Sequence, residues 1–170
     1  VNVDEHRRRS LITVSSVVRV RRDGIDRAVL RYFGPPGSEI DRVRVVPVRN
    51  CVLGRRLHHR DGRMLAAELL LGQQLQAGQT WVWEYEVHEP TSGTATEFAH
   101  ALRRPEGPCV LEVRFHPDAL PAQVHEYFRA DLCVERHPCR KLALNAHHAL
   151  HVTASGMSSG VVGIDWERAD

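Results

Sequence analysis

Apolar positions in this chain recur at every second residue over most of its length. The clearest stretch is residues 80–88, where Trp81, Trp83, Tyr85 and Val87 alternate with Val82, Glu84, Glu86 and His88. Period-two alternation marks a strand with one buried face. Two indoles and a phenol on that face bury more area than any other set in the chain, so this strand is expected to centre the core. Upstream, Ile12, Val14, Val18 and Val20 mark a first strand and Ala28, Leu30 and Tyr32 a second, with Asp23-Gly24 turning between them. Gly34-Pro35-Pro36-Gly37 stops the second strand. Val43, Val45, Val46 and Val48 predict a third. Pro47 lacks a donor, which places that strand at a sheet edge or in a bulge. Residues 51–57 read as its continuation toward a polar tip at His58, His59 and Arg60.

Residues 64–71 admit two readings. Met, Leu, Ala and Glu form helices well. The run is nevertheless short, ends at Gly72 and directly precedes the tryptophan strand, which favours a central strand. Farther on, strands are expected at Thr96–His100 spacing, at Cys109, Leu111, Val113 and Phe115, at Val124 to Arg129, at Leu142–Leu144 and Leu150–Val152, and over residues 161–166. Residues 135–141 read as a polar connection. The pattern predicts an all-β fold, an immunoglobulin-like two-sheet β-sandwich of about nine to ten antiparallel strands. Residues 1–9, with His6, Arg7, Arg8 and Arg9, read as a flexible basic arm, and residues 10–168 as a single sandwich domain.

Composition changes this picture little. A chain of 170 residues can bury a core without disulfides or a structural metal. No apolar run approaches the roughly 20 residues that span a bilayer, and no signal peptide is visible, so a cytoplasmic protein with reduced cysteines and no membrane partner is expected. The net charge of +2 makes no global case for nucleic acid. Lys141 is the only lysine beside many arginines, which a GC-rich genome explains.

Several segments together resemble a known family. They are DGIDRAVLRYFG, VRNCVLG, GQTWVWEYEV, VLEVRFHPDALP and the closing GIDWE. This set is similar to the C-terminal β-domain of actinobacterial helix-turn-helix (XRE-type) transcriptional regulators, over residues 10–167. The resemblance implies a sensory or protein-contact module for transcription regulation, without catalytic residues. The DNA-binding head of that family has no counterpart in this sequence, so direct DNA binding is not expected.

Three sets of residues carry candidate chemistry. Trp81, Trp83 and Tyr85 would line a ligand cavity between the sheets, or fill the core. Arg55, Arg56, His58 and His59 would clamp a phosphate or carboxylate, or form a solvated tip. Cys133, His137 and Cys139, followed by His147, His148 and His151, offer thiolates and imidazoles to zinc, or a plain exposed loop. Zinc is the one cofactor the sequence suggests, and none is required by the leading reading. Residues 156–160, GMSSG, read as a turn, and no His-Glu-x-x-His, P-loop or dinucleotide fingerprint is present. The leading expectation is a non-enzymatic regulatory or ligand-sensing domain that contacts a small-molecule ligand or a protein partner and can form a homodimer. The alternatives are a zinc-binding protein and a small enzyme with an inter-sheet active site.

Overall fold

The protein was analysed as a computed structural model, which describes residues 1–90, 93–102, 107–130, 137–156 and 159–168, with the backbone alone for 137–139. The chain is all-β: thirteen strands and two short 3-10 turns among the described residues. It divides into two compact units, Ser10–Gly93 and a discontinuous one made of Val1–Arg9 with Thr94–Asp170.

The contiguous unit holds β2 (Arg9–Arg19), β3 (Ile25–Phe33), β4 (Arg44–Arg49), β5 (Val52–His59), β6 (Met64–Leu75) and β7 (Thr80–His88). They form two antiparallel ladders, β2-β7-β4 and β3-β6-β5. Residues 64–75 are a strand, and the central one. Leu65, Ala67, Leu69, Leu71 and Leu75 are buried on its inner phase. Its outer phase, Ala66, Glu68 and Leu70, is only half-buried. Val20, Leu71 and Leu75 cluster with Ile25, Trp81 and Trp83, so the two ladders pack face to face. The tryptophans are half-buried. The reason is register: β4 covers β7 only from Glu84 to His88, leaving Trp81 and Trp83 beyond its end. The leucines of β6 are the most enclosed side chains here instead. Pro47 lies on β4 at the end of its ladder, with a register shift between Pro47 and Arg49, as a missing N–H requires. Residues 51–57 do not prolong β4. Asn50, at φ 51°, turns the chain and β5 joins the other ladder.

The discontinuous unit holds β1 (Asn2–Val3), β8 (Glu97–Leu102), β9 (Cys109–Phe115), β10 (Pro121–Arg129), β11 (His137–Leu142), β12 (Ala149–Ala154) and β13 (Gly160–Arg168). Its strands are ordered β12-β9-β1 and β11-β10-β13-β8. Between these two sheets Leu111, Val113 and Phe115 meet Val124, Val162, Ile164 and Trp166. Phe115 and Trp166 pack edge to face, 5.2 Å between centroids. The indole N–H of Trp166 donates to the Ala95 carbonyl at 2.8 Å, so this buried donor is satisfied. A polar connection expected over 135–141 is a strand from His137, paired with β10. Residues 1–9, expected as a mobile arm, are structured: β1 runs parallel to β9, Val3 is buried, and the Arg9 guanidinium lies over Phe98 at 5.6 Å.

Tyr127 is fully buried although it shares a phase with His125 and Arg129. Its ring lies over Gly163, directly opposite on β13, and its hydroxyl donates to Glu97 Oε2 at 2.8 Å. A Cβ at position 163 would fall inside contact distance of the phenol ring. Gly163→Ala is therefore expected to destabilise the protein by about 1–3 kcal/mol in denaturant titrations. The same change in a Tyr127→Leu background should cost markedly less, and equal costs in both backgrounds would refute the contact.

Candidate functional site

The outer face of β3-β6-β5 collects side chains that a core does not need. Alternation directs Arg27, Val29, Arg31 and Phe33 of β3 outward, opposite Leu70, Glu68, Ala66 and Met64 of β6. On the other side of β6, Leu57 pairs with Ala66 and Val52 with Leu70. Val29 is 55% exposed, Phe33 42%, Val52 62% and Leu57 62%. Four of the nine large apolar residues exposed among the described residues thus share one sheet face. Because Ala66 is small, Val29 and Leu57 flank a shallow open depression of about 300 Å³, also lined by Arg55, Arg56 and Glu68.

Glu68 organises the charges on this face. Arg55 Nη2 donates to Oε1 at 2.9 Å, and Arg55 Nε to Oε2 at 3.1 Å. The backbone N–H of Arg55 also reaches Oε2, at 3.2 Å. It can do so because β5 bulges between Leu53 and Arg56, where Gly54 passes close to Glu68: a Cβ there would lie 3.0 Å from the Glu68 Cβ. From the other neighbour, Arg27 Nη1 donates to Oε1 at 3.2 Å while its Nε and Nη2 are held by Asp26. Arg55 first, then its backbone N–H and Arg27, hold the Glu68 carboxyl down to about 2. Arg31 and Arg56 have no ion pair among the described residues. The face is therefore apolar at its centre, with uncompensated positive charge beside it.

The arginines expected at a tip are thus sheet residues. Arg55 is committed to Glu68 and Arg56 lines the depression. His58 is half-buried, and His59 closes the β5–β6 turn by accepting the Gly62 N–H at its Nδ1, 2.9 Å away. Trp81, Trp83 and Tyr85 lie in the other ladder, on the core side of β7. Trp81 Nε1 donates to the Asn50 carbonyl at 3.2 Å, and burial, followed by the nearby Cys51 thiol, pushes the Tyr85 phenol up to about 12. The structure does not bring this row to the arginines.

Of the cysteines and histidines expected around zinc, His147, His148 and His151 are described with their side chains, and His137 and Cys139 by backbone alone. His137 and Cys139 belong to β11, in one sheet of the discontinuous unit. His151 is exposed on β12, in the other sheet, opposite Glu112. His147 and His148 occupy the turn before it, their N–H groups donating to Asn145 at 2.8 and 3.0 Å. Cys133 lies outside the described residues. Among the described residues no group of three or more His, Cys, Asp or Glu side chains is placed to hold a metal. A different polar row, absent from the sequence expectations, crosses the four-stranded sheet. Lys141, His125, Asp165 and Glu97 stand opposite one another, with His125 Nδ1 3.6 Å from Asp165 Oδ1. No spacing rule links residues so far apart in sequence. Only the outward phase of each strand marked them.

No helix among the described residues is long and apolar enough to cross a membrane. Comparison with protein-family models, curated proteins and solved structures finds no match to this chain.

The Glu68 clamp has a measurable pH signature. Its folded pKa lies below the ordinary value of 4.5, so its contribution to stability is present above that value and is lost as pH falls through about 2. A carboxyl carbon titration by NMR should place the Glu68 midpoint near 2. Arg55→Ala should raise it more than Arg27→Ala does, and an unmoved midpoint in both variants would remove the clamp.

Proposed function

We propose that this chain is a non-enzymatic contact module that recognises a protein partner through the outer face of β3-β6-β5. The observation that carries this reading is the concentration of Val29, Phe33, Val52 and Leu57, all exposed, beside arginines on one sheet face. Exposed contiguous apolar surface with arginine at its margin is the composition of protein interfaces. Scattered exposed valines need no explanation, but these flank one another across β6. The depression among them is open and shallow, whereas small-molecule pockets enclose most of their ligand, which favours a macromolecular partner over a metabolite. A regulatory role fits the resemblance to the β-domains of helix-turn-helix regulators, with a separate chain supplying any DNA-binding function.

A photo-crosslinking amino acid placed at Val29 or Leu57 tests this in cells. Both positions should yield a discrete protein adduct. Val110, 65% exposed in the discontinuous unit, serves as the control. Adducts equally strong from Val110, or none from Val29 and Leu57, would remove the contact reading.

A further inference from the structure

The partner can be specified further, on the contact reading above, from the edge of the same sheet. β3 ends its ladder, so its side away from β6 carries no strand among the described residues. Edge strands are commonly blunted by proline, bulges or an inward charge. Here β3 contains no proline, and its one register shift lies at its start, between Ile25 and Arg27. From Arg27 to Phe33 it is regular. The opposite edge, β5, is broken by the bulge at Gly54 and Arg55. β4 of the same unit carries Pro47. β3 is therefore the edge in this sheet best shaped to accept another strand.

Its outward phase then dictates chemistry. A strand laid antiparallel beside β3 places its own outward residues against Phe33, Arg31, Val29 and Arg27 in turn. Arg27 is already held by Asp26 and Glu68, whereas Arg31 has no ion pair among the described residues. Three arginines on this face, Arg27, Arg31 and Arg55, stand against two carboxylates, Asp26 and Glu68. A second copy of β3 would bring like charge to like charge. The same unit shows the favourable pairing internally: Arg49 of β4 lies opposite Glu84 of β7, with Nη1 3.8 Å from Oε1.

We infer that the partner contributes an extended acidic segment that adds to the free edge of β3, its outward residues alternating apolar and carboxylate so that a carboxylate meets Arg31 and apolar side chains cover Val29 and Phe33. Main-chain hydrogen bonds supply affinity in such strand addition, and alternate side chains supply specificity.

The test uses the full chain and a blocked peptide, TVTETVTET, whose every fourth residue is glutamate. Binding is followed by fluorescence anisotropy and by protection of β3 amides from hydrogen exchange. Two further peptides carry N-methyl groups on odd or on even residues. Strand addition predicts that one parity abolishes binding and the other leaves it. Arg31→Glu should weaken the glutamate peptide by about tenfold or more and create binding of the lysine counterpart TVTKTVTKT. If the peptide binds with both parities tolerated, edge addition is overturned while the contact face stands. If it fails to bind and crosslinks still arise at Val29 and Leu57, edge addition alone falls; if both are silent, both readings fall. Tighter binding of a single-stranded oligonucleotide than of the glutamate peptide, or a native mass showing a dimer that Arg31→Glu alters, would also overturn it.

Discussion

Each residue of a strand is committed to one face or the other, and β6 shows what this commitment imposes. Its even-numbered and odd-numbered positions serve different purposes. The odd phase from Leu65 to Leu71 is the most enclosed part of the contiguous unit and faces the opposing ladder. The even phase must then carry whatever remains, and at its centre stands Glu68. Because β6 has a neighbour on each side, that carboxylate is within reach of both, and it takes Arg27 from one and Arg55 from the other. A one-residue slip in either pairing would move the leucines to solvent and the carboxylate into the core, so register and ion pairs reinforce one another.

The clamp leaves the surrounding surface in an unusual state. A carboxylate shared by two arginines cannot neutralise both and also serve Arg31. The apolar side chains beside it are too few and too widely exposed to be core, and too close together to be incidental. The contact face thus follows from one local arrangement: a small residue, Ala66, next to a charged one, Glu68, on a strand whose reverse side is fully spent on packing.

Much of the architecture was legible from alternation. The strands at Ile12, Leu30, Trp81, Leu111 and Ile164 declare themselves by period two, and Pro47 marks an edge because a missing N–H has a direct consequence. Residues 64–71 could be resolved by length and context against their helix propensity. Other features were not legible, for physical reasons. β11 pairs through its backbone, and a sequence such as His137-Pro138-Cys139 carries no apolar rhythm. The division into two units depends on which inward faces meet, and alternation says nothing of partners. The aromatic row of β7 was recognisable as inward-facing, but its incomplete cover depends on where β4 stops. At the candidate site, Arg55 and Arg56 stood out by type. Glu68 did not, since a lone acidic residue in an apolar run resembles an ordinary surface position until both neighbouring strands are known. β11 and β12 are close in sequence but belong to different sheets, which puts His137 and Cys139 in one sheet and His151 in the other.

The parallel pairing of β1 with β9 has a consequence for the order in which the chain acquires its structure. Asn2 and Val3 find their partners at Arg114 and Phe115, across more than a hundred intervening residues. Closing so long a loop is slow compared with forming local hairpins. On a ribosome the contiguous unit has all its strands available before β9 has been synthesised, and can fold as a body. Asn2 and Val3 are therefore made before the contiguous unit but reach β9 only after it can fold. Translation speed through residues 94–115 thereby sets how long β1 waits for β9.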